Sequence, residues 1–168
     1  RGIVNHGMYK RYYHDVVGVN SRLDSLQAAV LQIKLPLLDG FCEARRSAAE
    51  YYSTAFANNP NIITPTAKSN KTNACNSICD VCDCHVFHQY TLQITNGKRD
   101  ELHQHLLEKE IPNAIYYPVA LHAQKAYKDK RYNEVDFPVT NNLIKTVISL
   151  PMHTELDEAQ LSFITQTI

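Results

Sequence analysis

The sequence predicts an α+β domain: a long helical arm followed by a small sheet packed with helices. Three observations carry that reading. Apolar residues recur at helical spacing between residues 20 and 57. Polar and apolar residues then alternate over 85–95, as a half-buried strand requires. Beyond that point helical and strand patterns take turns until a last helix at 157–168.

Residues 1–19 are polar and aromatic, with Gly2, Gly7 and Gly18 as breakers, and read as loop. The arm follows. Asn20 or Ser21 is positioned to cap it, and Asp24 adds negative charge in its first turn. Leu23, Leu26, Val30, Ile33, Leu37 and Phe41 form its apolar stripe, continued by Ala44, Ala48, Tyr51 and Ala55. Pro36 removes a backbone donor and clashes with the preceding turn, so two helical segments are expected, at 21–34 and 36–57. Residues 58–84, rich in Pro, Asn, Ser, Thr and Cys, are longer than most loops in compact domains and read as an insertion, a binding loop or a flap. In the strand at 85–95, Val86, His88, Tyr90, Leu92 and Ile94 share one face. Asn96-Gly97 ends it, and a helix at 98–109 turns Leu102, Leu106 and Leu107 inward. A short strand at 114–117 stops at Pro118. A helix near 137–146 and a strand at 147–150 precede the last helix, for which Thr154 and Asp157 resemble a capping box. The sheet is expected to be covered on one side.

Composition excludes several functions. The 168 residues hold 17 Lys+Arg and 17 Asp+Glu, a net charge of zero. A nucleic-acid binder relying on bulk positive charge needs a basic surplus, and so does a polybasic membrane-surface protein. No apolar run approaches the roughly 20 residues that span a bilayer. Neither nucleic acid nor membrane is therefore an expected partner. Hydrophobic residues at 44% and charged residues at 20% place the chain among globular proteins. There is no GxGxxG or GxxxxGK among its five glycines. Five cysteines, an odd count, suit a disulfide scaffold poorly, so a reducing, cytoplasmic setting is expected. With Arg1 first and no signal peptide, the chain reads as a piece of something longer.

Three groups of residues carry candidate chemistry. Cys75, Cys79, Cys82 and Cys84 lie within ten positions, a spacing at which thiolates hold Zn²⁺ or an iron–sulfur cluster. Structural zinc sites usually take two ligand pairs set a dozen or more residues apart, so no metal is assigned and the cluster stands as the alternative. Asn20 and Arg22 head the arm, where a helix N-terminus and a guanidinium suit an anion; from residue type alone, ordinary capping is the better reading of Asn20. Tyr116 and Tyr117, with His122 just beyond, sit where a strand ends in a loop and offer hydroxyls and an imidazole to a sugar or diphosphate; aromatic packing is the other reading.

Strings spread along the chain add a resemblance. Asn5-His6-Gly7, the run Gly18-Val19-Asn20-Ser21-Arg22-Leu23-Asp24-Ser25-Leu26-Gln27-Ala28-Ala29, His88-Gln89-Tyr90, Ile115-Tyr116-Tyr117-Pro118-Val119 with Leu121-His122, and Ser149-Leu150-Pro151-Met152 resemble the DegT-type, fold-type I, pyridoxal-phosphate-dependent nucleotide-sugar aminotransferases. The resemblance implies the C-terminal portion of such an enzyme, ending in its small α+β domain. By it, 1–57 is the interdomain and dimer-side segment with the arm, 58–84 a Cys-rich insertion, and 85–168 the small domain. It implies pyridoxal 5'-phosphate as cofactor, a homodimer, and transfer of an amino group from a donor such as glutamate to a nucleotide-linked keto sugar. It implies that Asn20 reaches the cofactor phosphate, that Arg22, Tyr116, Tyr117 and His122 contact the sugar nucleotide, and that no catalytic residue lies in this piece. The Schiff-base lysine of the family is not among the matched strings, so the piece alone is expected to be inactive. Tyr116 departs from the family pattern, where His is frequent.

Overall fold

The computed structural model describes residues 4–6, 8–10, 12–21, 23–66, 85–127 and 129–168. Cys75, Cys79, Cys82 and Cys84 lie outside the described residues, as does Arg22. The chain forms two compact units, residues 1–39 and 40–168.

In the first unit, residues expected as loop pair as a hairpin. Strand β1, Met8–Lys10, runs antiparallel to β2, Tyr13–His14. Elements of three and two residues held by backbone pairing leave no alternation to read. Helix α1 spans Ser25–Lys34. Its cap is Asp24, whose carboxylate accepts from the Gln27 amide at 2.7 Å. That corrects the expectation for Asn20 and Ser21, which stand too far upstream to reach the first turn. None of the residues of α1 is buried within this chain, and Leu26, Val30, Leu31 and Ile33 are exposed.

A 3₁₀ turn at Leu35–Leu37, holding Pro36, separates α1 from α2, Leu38–Phe56. The proline thus interrupts the helix without ending it, because a tighter turn tolerates a missing donor at its start. The buried stripe of α2 is Ala48, Ala49, Tyr52 and Phe56. This is one residue on from the Tyr51 and Ala55 expected: Ala55 is exposed and Tyr51 packs at the edge of the core. Periodicity fixes the spacing of a stripe, and the packing partner fixes its phase.

The second unit is built on an antiparallel sheet in the order β3-β4-β5. Strand β3, Ile62–Ile63, lies within the stretch read as a long connection. It pairs with β4, Tyr90–Ile94, and β4 pairs with β5, Val147–Leu150, placing Leu92 opposite Ile148. Tyr90, Leu92 and Ile94 are buried and alternate as expected. The alternation does not extend back to 85, because Phe87 sits at φ 45°, outside extended backbone. Phe87 is consequently buried and Val86 exposed.

Helix α3 spans Arg99–Glu108; Leu106 is fully buried and Leu102 packs against the core, but Leu107, one step round the helix, is exposed. The expected strand at 114–117 reduces to one bridge between Ala114 and Ser149. The residues between Pro112 and Pro118 have little room for a ladder. Helix α4, Pro138–Thr146, runs directly into β5. All four residues of β5 are buried, so this strand is covered on both faces rather than one. Ser149 tolerates burial through its hydroxyl contact with Thr91 at 2.8 Å and its backbone pair with Ala114. Helix α5, Glu158–Thr167, starts with a capping box of Asp157 and Gln160, three residues beyond the Thr154 pairing expected. The core joins α2, β4, β5, Leu106, Ile111, Leu161 and Ile164.

Two tyrosines inside this core make it sensitive to alkali. Burial raises the hydroxyl pKa of Tyr52 well above its ordinary value, with Tyr90 as a lesser cause. Burial also raises Tyr90, opposed by its hydrogen bond to Ser53. A raised folded-state pKa leaves stability intact below the unfolded value of about 10 and removes it as pH climbs toward the folded value. Stability is therefore expected to hold to about pH 10 and fall above it; a pH series of urea midpoints that stays level to pH 11.5 contradicts this.

Candidate substrate-binding site

In the second unit, strings far apart in sequence meet. His88 and Gln89, just before β4, Tyr116 beyond the Ala114 bridge, and Ser149 to Met152 at the end of β5 line one cleft of about 330 Å³. Antiparallel pairing of β4 with β5 brings Tyr90 opposite Leu150, which sets His88-Gln89 beside Pro151-Met152. Ala114 and Ser149 exchange backbone hydrogen bonds of 3.1 and 2.8 Å, which brings Tyr116 to the same edge. The Tyr52 hydroxyl donates to the Pro151 carbonyl at 3.0 Å and ties this rim to α2.

Tyr116 and Tyr117 are exposed, and their rings meet edge to face at 5.8 Å. The peptide bond joining them is cis. Their hydroxyls are open to a polar ligand. His122 is not in this cleft. It sits in a 3₁₀ turn, Leu121–Ala123, and its imidazole stacks on Phe137 at 4.3 Å between ring centres. Its Nε2 is buried and has no hydrogen-bond partner among the described residues. It lines a second, larger cleft of about 730 Å³ with Tyr127, Arg131, Tyr132 and Phe137. Sequence reading missed Arg131, Tyr132 and Phe137, and for the first two the crowding of basic residues with two tyrosines into 125–132 was the available signal. Asp129 holds Arg131 through bonds of 3.1 and 2.8 Å, and these, with a backbone bond, keep the Asp129 carboxyl below the usual carboxylate range.

Asn20 belongs to the first unit. Its backbone bridges Asn5, flanked by bonds from the His6 amide to Val19 and from the Ser21 amide to Val4, both 3.0 Å. This fixes the residue while its side chain stays exposed, without a hydrogen bond among the described residues. An anchored, unspent amide suits a phosphate oxygen. Lys10 lies 5.0 Å over the Tyr13 ring. Among the described residues no cluster of three or more His, Cys, Asp or Glu suits a metal ion.

Comparison with known proteins decides the family. The model of the DegT/DnrJ/EryC1/StrS aminotransferase family matches residues 1–168. The chain belongs to this family. It is 38% identical over 165 residues to a pleiotropic regulatory protein of Geobacillus stearothermophilus, covering 97% of this chain and 41% of that protein. It is 36% identical to UDP-N-acetyl-3-dehydro-alpha-D-glucosamine 3-aminotransferase of Acidithiobacillus ferrooxidans, covering 100% of this chain and 41% of that one. Among solved structures, S. venezuelae DesV, in complex with a ketimine intermediate, superposes with a TM-score of 0.81 at 31% identity, covering 99% of this chain and 41% of DesV. This family member thus spans about two-fifths of the length of the relatives it matches. Pyridoxal phosphate is the cofactor of the family. No helix among the described residues is long and apolar enough to cross a membrane.

Proposed function

We propose that this chain is the C-terminal part of a cytoplasmic, homodimeric aminotransferase. The enzyme would move an amino group, drawn from glutamate, to a nucleotide-linked keto sugar for cell-surface polysaccharide or other amino-sugar synthesis. The observation that carries the reading is the convergence of His88-Gln89, Tyr116 and Ser149–Met152 on one cleft in a chain of this family. Three separate strings meeting at one rim suit a site better than they suit packing, since the cleft they line is open. The exposed apolar face of α1 supports the homodimer and a further domain, because an isolated monomer seldom leaves so much of one helix uncovered.

When bound, pyridoxal phosphate supplies the electron sink for amino transfer. This chain's own residues supply binding. Asn20 donates its amide to the cofactor phosphate. Arg22 meets the sugar nucleotide as an anion clamp. Tyr116 and Tyr117 offer hydroxyls to the sugar ring, and His122 an imidazole further along the substrate. None of these residues accepts or delivers the transferred proton, so the piece by itself would bind without turning over.

The test uses the full-length protein with cofactor, given glutamate and UDP- or dTDP-linked 3-keto and 4-keto sugars. Formation of 2-oxoglutarate and an amino sugar is the expected result. Absence of a lysine at the cofactor position, with no turnover on any of these sugars, would sink the proposal in favour of a regulator or a dehydratase. Asn20→Ala is expected to weaken cofactor retention about ten- to a hundredfold, since a hydrogen bond to a charged group contributes about 1.5–3 kcal/mol. Equal retention by dialysis and visible absorbance would remove Asn20 from the cofactor contacts.

A further inference from the structure

The chain turns back sharply after α3. Glu110 takes φ 57°, and the Ile111 amide donates to the Leu106 carbonyl at 2.8 Å, which closes the last turn of the helix. Ile111 is buried in the core and holds the returning chain against α3. Two residues on, Asn113 comes to lie beside His103 of the same helix, ten positions earlier in the chain. Both residues are half-buried.

The contact between them has a fixed polarity. His103 Nδ1 faces Asn113 Oδ1 within hydrogen-bond distance. The Nδ2 of the same amide donates to the Ile111 carbonyl at 3.1 Å. With its NH₂ spent on a carbonyl, the Asn113 amide presents its oxygen to the ring. An oxygen there requires a proton on Nδ1, so His103 is the donor. The helix that carries it is itself tied down, because Arg99 at its start donates to the Ile144 and Val147 carbonyls. His103 is therefore a firm point of attachment.

What it holds is one wall of the smaller cleft. Pro112, Asn113, Ala114 and Tyr116 line that cleft opposite His88 and Met152, whereas His103 itself does not. The segment leading to Tyr116 has a single bridge to the sheet, Ala114 with Ser149, in place of a ladder. One bridge fixes a point on the chain and leaves its direction free. A second attachment at the neighbouring Asn113 fixes the line along which the chain enters Tyr116-Tyr117. Both tyrosines are exposed, so burial does little to set their place.

We propose that His103 is a positioning residue, whose Nδ1–H holds Asn113 and, through it, the Pro112–Tyr116 wall against which the sugar binds. The role rests on the reading of this cleft as a sugar site. His103 touches no ligand and moves no proton in it.

The experiment combines steady-state kinetics of the cofactor-loaded full-length protein on UDP- and dTDP-linked keto sugars with hydrogen exchange of the 111–118 backbone. His103→Phe keeps a ring and loses the donor. It is expected to raise KM for the sugar nucleotide about fivefold, to leave kcat within about twofold, and to speed exchange over 111–118. His103→Ala is a second deletion, expected to do the same. His103→Asn sets an amide nitrogen where Nδ1 stood and is expected to restore both KM and exchange, which a merely structural role would not require. Asn113→Ala is expected to raise KM, and adding His103→Phe to it should change nothing further, because the two residues act through one bond. Thermal melts report the fold of each variant. A folded His103→Phe or His103→Ala with the KM and exchange of the wild type overturns this assignment alone. So does a loss in those variants that His103→Asn fails to recover. A wild type that turns over none of the sugars overturns the sugar reading of the cleft, and this role with it.

Discussion

Arg99→Ala is expected to destabilise the protein by about 2–4 kcal/mol, through backbone carbonyls left without a donor inside the fold. Arg99 opens α3 and is only 8% exposed. Its Nη1 donates to the carbonyls of Ile144 and Val147 at 3.1 and 3.0 Å. The first of these oxygens lies in the last turn of α4 and the second opens β5, where the helix passes into the strand with no intervening loop. The last carbonyls of a helix lack partners within it, and water has little access to these. The guanidinium therefore closes one helix from the start of another. Its pair with Asp100 adds little, because that carboxylate is exposed. Arg99→Lys is expected to recover only part of the loss, since an ammonium cannot copy the planar fork. Urea denaturation compares the three proteins. A midpoint for Arg99→Ala within about 0.5 kcal/mol of wild type would refute the capping role.

Tyr52→Ala is expected to cost about 3–5 kcal/mol, the range for removing a buried aromatic side chain. Tyr52 is wholly buried, with ring contacts to Tyr90 at 5.0 Å and Phe56 at 6.4 Å. The conservative change separates two roles. Tyr52→Phe keeps the ring but leaves the Pro151 carbonyl without its donor, at an expected cost of about 1–2 kcal/mol. Pro151 lines the Tyr116 cleft, so under the proposed function Tyr52→Phe should also raise the KM of the full-length protein for the sugar nucleotide with little change in kcat. If Tyr52→Phe lowers stability while KM stays put, the tyrosine supports only the core. The same variant should flatten the loss of stability above pH 10, because Tyr52 is one of the two tyrosines whose burial opposes ionisation.

Elements with a long period were readable in advance. The inward face of β4 over Tyr90–Ile94, the position of β5, and the spans of helices α3, α4 and α5 lie within a residue or two of where the sequence reading placed them. Short or mutually paired pieces were not. The β1–β2 hairpin and β3 depend on backbone partners that no local pattern encodes. The expected strand at 114–117 was a run of suitable residues that found one bridge. Asp24 displaced Asn20 as the cap because the helix begins where its first amides can be satisfied, and several polar residues in a row compete for that position.

The candidate site divides in the same way. Residue type alone marked Asn20, Tyr116, Tyr117 and His122 as polar or aromatic groups at element ends, and the strings around them pointed to the family that comparison then showed. Sequence by itself thus determined the class of fold, the family and the chemistry on offer, because these follow from periodicity and from strings of adjacent residues. Only the tertiary structure decided which groups meet. It set His88, Tyr116 and Ser149 on one rim, moved His122 into a different cleft with Arg131 and Tyr132, and gave Arg99 the carbonyls of a helix-to-strand junction some 45 residues away. Those encounters depend on strand register and on how helices pack on the sheet, and both are fixed by contacts between segments distant in the chain.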